Sequence, residues 1–202
     1  MLNFEDTNWF KRSLKFFILS LAITIISFVL TLIVNPSIDT FKNIARKVPD
    51  SVTQAQGLEK VWEYIVHNAA MVPFQMLLLA FIPIPFLYCL NYITTSALLG
   101  VICSIAIQLD LHKGISMIIS TIPHHFLELF AMCIVVSSLF KLNQSIIRKI
   151  TNFFRQDKKQ NYSFKTACMN LMKSYLLIAL PLYILAAFTE TFVSNFIYEF
   201  LQ

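Results

Sequence analysis

Pro123-His124-His125-Phe126-Leu127-Glu128 sets two imidazoles and a carboxylate in a stretch with no other charged side chain between Gly114 and Phe140. On a helix Glu128 falls four residues after His124 and three after His125, so either ring can meet it on one face. Imidazole and carboxylate together pass protons, hold cations or, around a metal, activate water. At membrane depth such groups are costly and face a bundle interior or a wet cavity. The order His-His-x-x-Glu differs from the His-Glu-x-x-His of zinc proteases, and the apolar stretches hold no Ser/Lys or Asp/Asp dyad. Three readings stay open: polar links between helices, a conducting or ligand site, and a metal centre on His124, His125 and Glu128.

These residues must be positioned by helices in lipid. The chain has 202 residues, 57% of them hydrophobic and 13% charged, where a soluble domain carries roughly a quarter charged. One soluble core cannot hide so much Phe, Ile and Leu. The net charge of +5 sits beside apolar runs, which excludes a nucleic-acid surface. Four cysteines without CxxC spacing indicate neither a disulfide framework nor a zinc knuckle, and no cofactor motif is present.

The apolar runs predict an all-α polytopic bundle, one membrane domain over 1–202, with spans at 14–34, 68–90, 94–109, 123–140 and 174–193. The first, behind Lys11, Arg12 and Lys15, reads as a retained signal anchor. The outer loop 35–66 carries two amphipathic patterns, at 38–48 and 58–65. Pro83 and Pro85 predict a kink or unwound stretch near 82–86, inside the second span. Ser96 and Gly100 give the third span a small-residue face for close helix approach. The 27 residues from Gly114 to Phe140 exceed the hydrocarbon thickness as one helix, about 40 Å against about 30 Å. A re-entrant or interfacial segment at 115–121 is therefore expected, with Pro123 in the first turn of the fourth span.

Residues 141–173 hold eight basic side chains against Asp157 alone. Leu142, Ile146, Ile147, Ile150, Phe153 and Phe154 recur at helical period, flanked by Arg148, Lys149 and Arg155. That is a basic amphipathic surface helix, lying on anionic membrane lipid or docking a cytoplasmic partner such as an ATPase. Lys/Arg asymmetry places it and the N-terminus in the cytoplasm of a cell-membrane protein. In that orientation His67, Asn68, His124, His125, Glu128 and Glu190 share one depth near the outer side, with Glu128 about 8 Å below the start of its helix.

His67-Asn68-Ala69-Ala70, Pro123-His124-His125-x-x-Glu128 and the run Ala187 to Ser194 around Glu190 resemble motifs of the stage II sporulation protein M family. The middle motif is similar to the family's Pro-His-Gly-x-x-Glu, with His125 where glycine is usual. The family's Asn-Gly-x-x-x-Gly survives only as Ser96 to Gly100. The resemblance implies a helical protein of five or six spans without an established enzymatic activity. It also implies a partner: members act with the sporulation engulfment machinery, or accompany ABC-type ATPases and bacteriocin maturation, export and immunity genes. The expected function is a membrane subunit of a peptide-export or immunity assembly with an ABC-type ATPase. The alternatives are a scaffold for sporulation or envelope remodelling, contacting its partners through 35–66, and an intramembrane ion or metal site.

Overall fold

A computed structural model describes residues 6, 8–36, 56–161 and 163–201. The described residues form five helices long and apolar enough to cross a membrane. They are α1 (Trp9–Val34), α2 (Gly57–Phe81), α3 (Leu87–Leu109), α4 (Leu111–Phe154) and α5 (Phe164–Phe200). The chain is an all-α multi-pass membrane bundle. The amphipathic pattern at 38–48 lies outside the described residues, and the one at 58–65 forms the first turns of α2.

Side-chain pairings fix the directions. Phe16 meets Tyr92 and Thr31 meets Gln108, so α1 and α3 run parallel. Trp9 meets Ser137 and Phe17 meets Phe126, so α4 runs against α1. Phe81 meets Phe164 and Ala69 meets Tyr175, so α5 runs against α2. Successive helices therefore alternate between two ends, here the hairpin end, where α4 turns into α5, and the far end.

The fourth helix is the axis: 61% of its most apolar stretch is buried, against 17–28% in the other four. Met132, Cys133, Ile134, Val136 and Leu139 form the centre of the core. The expected segment at 115–121 and a helix start at Pro123 are not seen, because α4 runs unbroken through Pro123. Ser120 and His124, on either side of the proline, are buried by neighbouring helices. Ser120 and Thr121 donate to the carbonyls of Met117 and Ile118 in the turn before it, at 2.8 and 3.0 Å. The carbonyl that Pro123 leaves without its helical donor is that of Ile119. The excess length instead runs past the end of α2 at the hairpin end, while at the far end Gly114 and Ser116 stay buried against Ala106 of α3 and Leu201.

The proline pair also acts differently from expectation. The second helix stops at Phe81, and 82–86 is the connection between two helices rather than a kink inside one. Asn143 donates to the carbonyls of Ala80 and Ile82 at 2.9 and 3.0 Å, closing that helix end. The third helix consequently begins at Leu87 and is 23 residues long. On it, Ser96 and Gly100 face α1 so closely that a Cβ on Gly100 would stand 2.2 Å from the Thr24 carbonyl oxygen.

Residues 141–173 are mostly helix, not loop. Leu142 is fully buried and Ile146 packs on the core beside Cys168 and Leu171 of α5. The apolar stripe thus serves an intramolecular hairpin, leaving Ile150, Phe153 and Phe154 exposed at its tip.

Candidate functional site

Proline shapes the two helices that supply the polar groups. Pro73 and Pro181 lack the N–H that would reach the carbonyl four residues back, and each is preceded by a wide π-helical segment, Ile65–Met71 and Tyr175–Ala179. The carbonyl deprived by Pro73 is that of Ala69, and the Tyr175 hydroxyl bonds to it. A third wide segment, Thr189–Val193, carries Glu190, while His67 and Asn68 ride on the first. Wide turns of this kind re-aim side chains and recur at functional sites.

On the α4–α5 interface, buried His124 places Nδ1 2.8 Å from the Ser194 hydroxyl. That hydroxyl also stands 3.3 Å from the Thr189 carbonyl, so the ring is tied to the wide turn that carries Glu190. Nε2 faces Glu190 Oε1 at 4.0 Å. Tyr64 presents its hydroxyl to the same carboxylate, and the Lys60 ammonium lies 5.7 Å over the Tyr64 ring.

The adjacent residue faces the other way. His125 places Nδ1 3.8 Å from Glu128 Oε2, and its ring centroid is 4.3 Å from that of His124. His125 and Glu128 open into a cavity of ≈ 250 Å³ between α2, α3 and α4, where His67 and Asn68 also stand. His67 Nδ1 and Asn68 Oδ1 are 2.7 Å apart. The six residues singled out in the sequence thus divide between two adjoining sites: His124 with Glu190, and the other four around the cavity.

Because α4 starts at Leu111, Glu128 lies 17 residues into it, about 26 Å along the axis. The expected 8 Å assumed a helix starting at Pro123, and the unbroken helix corrects it.

As to metal, no group of three His, Cys, Asp or Glu among the described residues is arranged to hold an ion. The two histidines turn to different acids, which splits the set His124, His125 and Glu128.

Sequence reasoning missed Tyr64, Ser194 and Tyr183. The first two were legible by spacing, since Tyr64 precedes Asn68 by four residues and Ser194 follows Glu190 by four. Tyr183 gave no signal. It is buried in α5 and its hydroxyl has no hydrogen-bond partner.

At the hairpin end Arg148 Nη1 donates to the Gln160 carbonyl at 2.9 Å. Asn152 exchanges two bonds with the Lys159 backbone, at 2.7 and 3.0 Å. Arg148 therefore closes the hairpin, while Lys149 and Arg155 are exposed beside Phe153 and Phe154.

Alternating apolar helices with acids and imidazoles held between them define a multi-pass α-helical membrane protein with an internal polar site. The chain belongs to the Stage II sporulation protein M (SpoIIM) family, whose model matches residues 10–195. Neither a curated protein nor a solved structure matches it.

Proposed function

We propose that this chain is the membrane subunit of a multiprotein assembly that exports, or protects against, a bacteriocin-type peptide. Its partner is a cytoplasmic ABC-type ATPase, docked on the hairpin.

The carrying observation is the reach of α4. Asn143 is level with the end of α2, where it holds the Ala80 and Ile82 carbonyls. Eleven further residues lead to Phe154, about 16 Å beyond that rim. The connection to α5 folds back beside them, held by Arg148 on Gln160 and Asn152 on Lys159. The tip presents Phe153 and Phe154, 84% and 80% exposed, among Lys149, Arg155, Lys158 and Lys159. An upright projection of this length lifts its aromatic tip away from lipid, so its chemistry suits an acidic protein surface with an apolar recess. The basic excess at this end favours a cytoplasmic hairpin and N-terminus.

Co-purification of the full chain from native membranes tests the reading. An ABC-type ATPase is expected to accompany it. Lys149→Glu with Arg155→Glu is expected to lower ATPase recovery at least tenfold while the thermal unfolding of the chain stays unchanged. Recovery of an envelope hydrolase instead, or ATPase recovery indifferent to the charge reversal, overturns it. Orientation is read by labelling Arg155→Cys with an impermeant maleimide, which is expected only after cells are permeabilised.

A further inference from the structure

The cavity between α2, α3 and α4 has a selective lining. No lysine or arginine borders it, and its one acid is Glu128. The described residues hold no three-ligand metal set, which disfavours a bare metal ion. The lining joins a carboxylate, with His67, Asn68, Thr121 and His125 near it, to hydrocarbon, a combination that suits a cation with an apolar stem. Glu128 is 12% exposed and makes no hydrogen bond with any described residue, since its closest imidazole nitrogen stands at 3.8 Å. Thr121, in the same lining, spends its proton on the Ile118 carbonyl and turns into the cavity as an acceptor. The apolar part of the lining is Leu98, Leu99 and Ile102 from α3 with Leu129 and Met132 from α4.

Charge points the same way. Among the described residues the group nearest to a cation for Glu128 is the His125 imidazole at 3.8 Å, which carries charge only when protonated, and no lysine or arginine pairs with the acid. An ionised carboxylate at this depth is stabilised only by a partner. The Tyr183 hydroxyl of α5 is a second buried polar group without a hydrogen-bond partner. Among the described residues, α2 and α3 pack together near the connection 82–86 and are less closely packed toward the far end, and the cavity lies between them.

We infer that the cavity binds a primary alkylammonium group, with its N–H donors on Glu128 and its aliphatic stem along Leu98, Leu99, Ile102 and Leu129. The amine is either free or the ethanolamine head of a phospholipid entering between α2 and α3. The inference rests on the cavity alone and stands apart from ATPase docking.

Cys103 lines the cavity and reports its occupancy. The full chain is placed in nanodiscs of phosphatidylcholine, whose quaternary head has no N–H. The rate at which methyl methanethiosulfonate modifies Cys103 is followed by peptide mass spectrometry, with half-buried Cys168 at the hairpin end as reference. Hexylammonium is expected to slow Cys103 at least fivefold and leave Cys168 unchanged, whereas hexanol, of equal length and no charge, is expected to do nothing. Glu128→Gln is expected to abolish the protection. Thr95→Phe, which fills the cavity and spares the acid, is expected to slow Cys103 without amine and remove any further effect of it. Protection in nanodiscs containing phosphatidylethanolamine, with no added amine, assigns the lipid as source. Protection by hexylammonium alone assigns a free amine. Equal protection by hexanol, protection surviving Glu128→Gln, or no protection from either source overturns the inference.

Discussion

Helices α1 and α3 lie side by side as regular α-helices, brought together where Gly100 leaves room for the Thr24 carbonyl. Helices α2 and α5 also lie side by side, yet both are interrupted by π-helical segments, next to Pro73 and Pro181, and both carry ionisable groups. The first pair is joined by Thr24 and Gln108 donating to carbonyls of Ser96 and Thr31. The second is joined by Tyr175 donating to a carbonyl that proline has robbed of its usual donor. In lipid, helix association runs on close packing and interhelical bonds rather than on apolar burial. One pair exploits closeness. The other gives up helical regularity, and its wide turns are the segments that carry Glu190, His67 and Asn68.

The largest effect is expected from filling the close approach. Gly100→Leu sets a Cβ 2.2 Å from Thr24 O and 2.9 Å from Phe28 N, both backbone atoms that cannot rotate away. Overpacking typically costs about 1–3 kcal/mol, and with backbone on the receiving side the top of that range is expected. Denaturation of the purified chain in detergent measures it. A stable Gly100→Leu variant would remove the distinction between the two pairs.

Next comes Asn143→Leu. It fills the same volume and withdraws the donor from the Ala80 and Ile82 carbonyls at the end of α2. Unsatisfied buried acceptors cost about 1–3 kcal/mol, and here the loss falls on the connection 82–86. Faster proteolysis within those residues is expected ahead of global unfolding, and cleavage elsewhere first would contradict it.

How much of this was legible depended on whether a residue acts along its own helix or across to another. Five spans follow from apolar runs alone, since lipid demands them whatever the packing. Pro83 and Pro85 announced broken backbone at 82–86, but not that the break is a turn. Asn143 decides that, 57 residues after Phe86 in the chain, from a helix whose contacts the sequence does not state. Pro123 misled for the same reason: Ser120 and His124, on either side of it, are buried by other helices, which the sequence alone does not place. The polar cluster was found because acids and imidazoles are rare in apolar runs. Its division into two sites was not, because the directions of His124 and His125 depend on Ser194 in α5.

The smallest effects separate the two pairs most sharply. Tyr175→Phe deletes one hydroxyl and leaves the ring, and the carbonyl it abandons belongs to Ala69, whose α-helical donor would have been the missing N–H of Pro73. Thr24→Val deletes one hydroxyl from the α1–α3 contact, and the carbonyl it abandons belongs to Ser96 inside a regular helix, which keeps its backbone bond from Gly100. Interhelical bonds in membranes average about 0.6 kcal/mol with a maximum near 1.7. The two variants are expected at opposite ends of that range, Tyr175→Phe near the upper limit and Thr24→Val near zero. Faster amide hydrogen exchange confined to 65–71 is expected in Tyr175→Phe, because the wide turn loses the group that holds it open. Equal costs would mean that the π-helical segment satisfies its own carbonyls. Its polar side chains would then be placed by packing, and proline would have no part in aiming them.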